Sequence, residues 1–388
     1  MNQKILHALF FCPSPEGHWG LPALFRGEPG TGKTANIKAV AKASGLFSYR
    51  ISPGERGEGQ FGVVPVPGAD GFLHYPPPDW AHTLEENGGI LFVDELNTAP
   101  PALQSALLGL VQLRTIGSFV FNKRVRVIGA TNSTEDAAGG WDLPPALANR
   151  FGHYAFEGMD APSWVEGLIG GFGSDTEAAT PPDPSVEEAR VMAAWPGASA
   201  AARGLIGGFI FRRPELLHKR PAQGSSHASM AWPSRRSVEY AAVALASARV
   251  HGLNEIDTDE LLSGFVGQAW VTEFRVWQNL VDLPDPADLL DGKVKFTHDE
   301  HRLDRSLATL GACTALVIPD KAANRAARAA ACWRLVDQIS KTTADIAVPS
   351  ARALCVAKIV ETVVGKEWAT SGKPALSRLL PLLSETFG

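Results

Sequence analysis

Cysteine is scarce in this chain: Cys12, Cys313, Cys332 and Cys355 are scattered through 388 residues, and none belongs to a C-x-x-C pair. That spacing supports neither a zinc module nor a disulfide framework, so reduced, buried thiols are expected. An excess of charge of one sign is lacking too. With 36 Lys+Arg against 41 Asp+Glu, the formal charge is -5, which argues against a surface built entirely to attract nucleic acid. Long hydrophobic runs are missing, since nothing approaches the ~18 uninterrupted apolar residues a spanning helix needs, and no membrane insertion is expected. Ile5–Phe11 follows Lys4 as a signal peptide would begin, but Pro13 and Pro15 stand where a small-residue cleavage site belongs. A cytoplasmic chain is the expectation. What is present is ordinary globular usage, 45% hydrophobic and 20% charged, at a length that favours two to three domains.

The first half alternates short β-branched or apolar runs with helical patterns. Strands are expected at Leu21–Arg26, Leu46–Ser52, Ile90–Val93, Val125–Ala130 and His153–Phe156, and helices at Thr34–Ser44, Asp79–Asn87 and Pro101–Leu113. In the last helix Leu103, Leu107, Leu110 and Val111 recur on one face. Such alternation implies an α/β fold, a parallel five-stranded sheet flanked by helices. Pro53–Pro78 is rich in Gly and Pro and reads as an exposed loop or hairpin. From Ser234 onward Ala, Leu and Val recur at helical spacing with little strand signal, so an all-helical region follows. The hexapeptide Gly-Leu-Ile-Gly-Gly-Phe occurs at Gly167–Phe172 and again at Gly204–Phe209; two short copies do not make a repeat array. His298 and His301 sit in His-Asp-Glu-His, which lacks the order or third ligand of a metal site and reads as solvated surface.

Directly after the first strand stands Gly27-Glu28-Pro29-Gly30-Thr31-Gly32-Lys33-Thr34, a full match to G-x-x-x-x-G-K-[ST] in the strand–loop–helix context the motif requires. Its glycines let backbone N–H groups turn inward around phosphate oxygens, and the helix N-terminus adds partial positive charge. Lys33 would reach the β- and γ-phosphates, and the Thr34 hydroxyl would ligate Mg²⁺. The third strand ends in Asp94-Glu95, at the carboxyl edge where ligands of parallel sheets bind. Asp94 would join Thr34 in holding the metal, and Glu95 would orient the water that attacks the γ-phosphorus. The fourth strand runs into Thr131-Asn132. The Asn132 amide there can hydrogen-bond the attacking water and a γ-phosphate oxygen, although asparagine is also an ordinary turn former.

The order of these segments, followed by Leu143-Pro144-Pro145-Ala146-Leu147-Ala148-Asn149-Arg150-Phe151, resembles an AAA+ ATPase, a P-loop NTPase, and is most similar to the MoxR-like branch. The resemblance implies that Arg150 is an arginine finger entering the neighbouring subunit's site. Pro233-Ser234-Arg235-Arg236-Ser237 is similar to the segment opening the helical lid, whose arginine contacts the γ-phosphate. That favours Arg236, but Arg235 stands where the family has proline, so Arg235 remains the alternative. Carried over, the likeness divides the chain into a nucleotide-binding core at 1–160, a mixed connecting region at 161–232, and a helical lid with C-terminal helices at 233–388. It further implies ATP and Mg²⁺ as cofactors, a homo-oligomeric, six-membered ring, and a remodelling chaperone acting on a client protein with a von Willebrand A-type partner. In that scheme Gly57–Tyr75 is a substrate-facing loop, with Phe61 and Val63 or Val64 touching the client.

Three rivals remain at this level. A nucleic-acid motor or restriction-associated translocase draws on the basic cluster Arg212, Arg213, Lys219 and Arg220. A nucleotide-gated scaffold would not need Glu95. A small-molecule kinase gives no reason for Asn132, Arg150 and Arg236 together.

Overall fold

The computed structural model describes residues 3–55, 61, 65–132, 141–172, 182–222, 225–319 and 324–384. Nine strands occur among them: β1 (Ala23–Arg26), β2 (Ser48–Ile51), β3 (Val66–Pro67), β4 (Leu73–His74), β5 (Gly89–Val93), β6 (Thr115–Ile116), β7 (Phe119–Val120), β8 (Val125–Thr131) and β9 (Gly152–Ala155). Five of them form one sheet in the order β2-β5-β8-β1-β9, with every neighbouring pair parallel. These five are the strands that the apolar runs predicted, with no end shifted by more than two residues. β3–β4 and β6–β7 are small antiparallel hairpins. The second of these was not expected, because two-residue strands carry too little periodicity to register.

Parallel strands bury both faces, and β5 and β8 are buried along their whole lengths. The helix Pro101–Leu113 turns Leu103, Leu107, Leu110 and Val111 inward, as its spacing implies, and adds Gln104, whose amide donates to Ala99 O at 2.9 Å. These side chains join Leu24, Trp80, Leu91, Val93, Val127 and Phe151 in one core. Proline at the start of Pro101–Leu113 loses no helical hydrogen bond, and Arg114, in the left-handed region at φ 55°, ends it.

The chain forms two compact units: Met1–Glu188 with Lys219–Ala244 and Leu253–Gln268, and Ala189–His218 with Leu245–Gly252 and Ala269–Gly388. The first holds the sheet. The second is helical among its described residues, with a core built on Trp333, Cys332, Leu354, Ile359 and Leu379. Cys12, Cys313 and Cys332 are buried free thiols and Cys355 is half-buried. In the second unit His298 bridges two hydroxyls, Ser306 at 2.8 Å and Thr343 at 3.2 Å, so it packs as a bridging side chain where open surface was expected. No described helix is long and apolar enough to cross a membrane.

Candidate functional site

Register brings the motifs together. Arg26 pairs with Thr131 across β1–β8, Val93 with Gly129 across β5–β8, and Ile51 with Val93 across β2–β5. β2 and β5 therefore end opposite Gly129 and β1 and β8 two residues further on, and the residues just beyond the four strands share one edge: Gly27, Ser52, Asp94 and Asn132. Gly27 N–H donates to Thr131 O at 3.4 Å, and Asp94 N–H to Ile51 O at 2.8 Å.

The Gly27–Thr34 loop needs its glycines for two separate reasons. A Cβ on Gly27 would lie 2.3 Å from Phe156 O, so only glycine lets β1 leave the sheet beside the chain that follows β9. Gly30 and Gly32 have φ of 77° and 89°, and no heavy atom lies within 4 Å of where a Cβ would project. They give an open, inward-turned backbone, the form of an anion cradle. Thr31 Oγ1 ties the loop by donating to Glu28 O at 2.8 Å, and Pro29 lies between them. Gly32 then starts the helix Lys33–Ala43.

Lys33 is buried, and its three ammonium donors are all used: Gly27 O and Glu28 O at 2.8 Å each, and Asn132 Oδ1 at 3.0 Å. Burial lowers its pKa, opposed by the negative charges of Asp94 and Glu95. Thr34 Oγ1 donates to Asp94 Oδ2 at 2.9 Å. Hydroxyl and carboxylate oxygens in contact are the hard donor set that Mg²⁺ takes, and the cradle beside them leaves room for phosphate oxygens, so these residues fit a magnesium nucleotide. Glu95 stands at φ 53°, a conformation costly for a residue with a side chain. It begins the turn Leu96–Thr98, in which Thr98 N–H and Oγ1 both donate to Glu95 O at 2.8 Å. This backbone reversal lets two consecutive carboxylates serve the same edge. Ser52 Oγ, just past the end of β2 beside them, lies 3.4 Å from Glu95 Oε2.

Thus Lys33, Thr34, Asp94, Glu95 and Asn132 are assembled around one point. Arg150 and Arg236 are placed elsewhere. Arg150 donates through Nε to Gln112 Oε1 at 2.9 Å and through Nη1 to Ala146 O; burial lowers its pKa first, and the Arg236 charge lowers it further. Arg236 is half-buried near the start of Arg235–Val250, and Arg235 is exposed. Among the described residues, no hydrogen bond or ion pair connects Arg150, Arg235 or Arg236 to the phosphate loop.

Two neighbours escaped the sequence. Arg50 on β2 donates to Asp94 Oδ2 at 2.7 Å; the only signal for it was a cation within a strand otherwise read as core. Arg26, just before the loop, donates through Nε to His153 Nδ1 at 3.4 Å and through Nη2 to Ser229 O. One expectation is corrected. Phe61 is 1% exposed and packs edge-on against Trp80 at 6.3 Å, because an aromatic in a Gly-rich loop gains more from the core than from water. It is not displayed to a client. Val63 and Val64 lie outside the described residues. Among its described residues this region presents Val66, Phe72, Leu73 and Tyr75, of which Phe72 and Leu73, at the β3–β4 hairpin, are the most exposed at 71% and 63%.

Residues 23–158 match the model of the ATPase family associated with various cellular activities, the AAA family. The matched span contains the loop, both carboxylates, Asn132 and Arg150, and with the five-stranded parallel sheet it defines an AAA domain of P-loop architecture, followed by a helical C-terminal region. No curated protein matches the chain. Among solved structures, a candidate ATPase from Cytophaga hutchinsonii shares 17% identity over 68% of this chain and 78% of its own, with a TM-score of 0.45, a likeness too slight to bear on activity.

Proposed function

We propose that the protein is an ATP hydrolase of the MoxR-like AAA+ type, working in a ring to remodel a client protein together with a von Willebrand A-type partner. The observation that carries the catalytic part is the assembly of Lys33, Thr34, Asp94, Glu95 and Asn132 on one sheet edge. Each then has a task. The loop amides of Gly27–Thr34 and Lys33 hold the phosphates, which requires the Lys33 ammonium to exchange Asn132 and the loop carbonyls for phosphate oxygens. Thr34 and Asp94 hold Mg²⁺, which when bound neutralises charge developing on the phosphate oxygens. Glu95 orients and polarises the attacking water, and Asn132, released from Lys33, senses the γ-phosphate. Arg150 acts as finger in the next subunit, worth roughly 10³–10⁵ in rate, and Arg236, with Arg235 as alternative, senses from the lid.

The remodelling role rests on the family likeness and on a displayed apolar tip at Phe72 and Leu73. The nucleic-acid motor gains no support. Arg213 is neutralised by Glu215 at 2.6 Å and Glu273 at 2.7 Å, which weakens the basic cluster that suggested it.

Glu95→Gln should retain ATP binding while phosphate release falls by about 10²–10⁴, read by a phosphate-release assay beside equilibrium nucleotide binding. If the wild-type chain binds no nucleotide, the proposal is wrong. For the finger, Arg150→Ala and Lys33→Ala subunits are mixed: recovered turnover supports action across an interface, and no recovery in demonstrably mixed assemblies overturns it. Capture with the Glu95→Gln form should yield a protein, and recovery of DNA would reverse the remodelling assignment.

A further inference from the structure

β2 is an edge strand of the sheet, and Arg50 is the cation it sends to the metal end of the site. Its Nε donates to Asp94 Oδ2 at 2.7 Å, the same oxygen that accepts the Thr34 hydroxyl at 2.9 Å. The other oxygen, Oδ1, accepts the Glu95 N–H at 3.1 Å. Asp94 Oδ2 is therefore the oxygen that a cation shared with Thr34 must use, and a guanidinium already sits on it. The far side of the same guanidinium forks onto Glu55, Nη1 to Oε2 at 3.2 Å and Nη2 to Oε1 at 3.1 Å. Glu55 is more exposed than Asp94.

We propose that Arg50 is a positioning residue that competes with the divalent cation for Asp94, and that Glu55 is the second anchor onto which Arg50 withdraws when the cation binds. The inference rests on the nucleotide-hydrolase reading and adds a residue pair that sets how much metal the site demands. A guanidinium cannot leave by losing its proton, so it leaves only by moving, and a dication beside it adds like-charge repulsion that falls slowly at short range in a poorly solvated site. The fork on Glu55 directs that movement toward solvent, where an ion pair can rearrange at little cost. Ser52, two residues along and just past the end of β2, touches Glu95, so one strand and its end steady both carboxylates.

The competition predicts effects of opposite sign. Mn²⁺ is titrated into the full chain with saturating ADP, and free Mn²⁺ is read by electron paramagnetic resonance, with no turnover involved. Arg50→Gln, which keeps a donor but removes the charge, should tighten Mn²⁺ binding by roughly fivefold; Glu55→Gln, which removes the second anchor, should weaken it by a similar factor. Arg50→Lys retains the charge and should stay within about twofold of the wild type. If Arg50 serves only to pin Asp94, Arg50→Gln weakens Mn²⁺ binding instead, and that result, or no change, overturns the proposal. Should Arg50→Gln not fold, Glu55→Gln still decides, because its carboxylate lies at the surface, and an unchanged affinity there rejects the second anchor. A wild-type chain that holds no Mn²⁺ with ADP would fault the nucleotide reading itself, whereas wild-type binding with unresponsive variants would fault Arg50 alone.

Discussion

At the scale of single residues, His153 shows how neighbours decide a charge. It is buried at the inner end of β9, with Nε2 2.8 Å from Ala148 O and Nδ1 facing the Arg26 donor. A ring nitrogen that accepts from an arginine carries no proton, so His153 is neutral with its hydrogen on Nε2. Burial, then the Arg26 charge, lower its pKa to about 3. Because the folded value lies below the unfolded one of about 6.5, the unfolded chain takes up a proton that the folded chain refuses. The contribution of neutral His153 is complete above pH 6.5 and is lost as pH falls from there towards 3, by about 2 kcal/mol between pH 7 and pH 5. Urea midpoints at those two pH values should diverge less for His153→Gln than for the wild type; equal divergence would place the proton elsewhere. Glu95 is the complementary case. Its left-handed backbone costs roughly 1 kcal/mol, so Glu95→Gly is expected to keep or slightly raise thermal stability while removing the carboxylate, whereas the same exchange at an ordinary β position would destabilise. Asp94, Glu95 and Asn132 were legible because each ends an apolar run, while Arg50 and His153 were not: alternation marks a strand but says nothing of what stands across from it.

Elements were legible to the extent that their periods were long enough. The five sheet strands and Pro101–Leu113 could be read directly, the β3–β4 hairpin only as a loop or hairpin within Pro53–Pro78, and the β6–β7 hairpin not at all. The repeated hexapeptide shows the limit most clearly. In the helix Ala161–Gly170, which has no buried residue, Leu168, Ile169 and the following Phe172 are 58%, 83% and 52% exposed. In the helix Pro184–Arg212 the same letters give Leu205, Ile206 and Phe209 at 8%, 4% and 0%. There Gly204 meets Gly311 backbone to backbone, and a Cβ on Gly204 would come within 2.6 Å of Leu307 O, so the glycines permit close helix packing. Phe209 is enclosed by Trp270, Phe274 and Trp277. Phe209→Ala should cost about 3–5 kcal/mol and Ile169→Ala less than about 0.5 kcal/mol, measured by denaturant unfolding of the full chain. Similar losses from both would mean that the exposed copy is covered in solution.

At the scale of the molecule, the proposed finger makes the active site a property of an assembly. Turnover per subunit should then rise with protein concentration until assembly is complete, and Arg150→Ala should flatten that rise without weakening nucleotide binding. Phosphate release measured across a dilution series beside sedimentation tests this, and a specific rate independent of concentration would count against a site shared between copies.

The sequence by itself determined the parallel α/β order, the phosphate-loop match and the acids at the strand ends, because these depend on local periodicity and on residue types fixed in short spans. Tertiary structure alone decided which strand ends meet, since register sets Arg26 against Thr131 and Ile51 against Val93. It also decided that Phe61 is core, that Arg50 shares Asp94 with Thr34, and that one hexapeptide lies in water while its twin lies in a core. The physical reason is common to all of them. Burial and pairing depend on residues distant in the chain, and a local pattern carries no record of its partners.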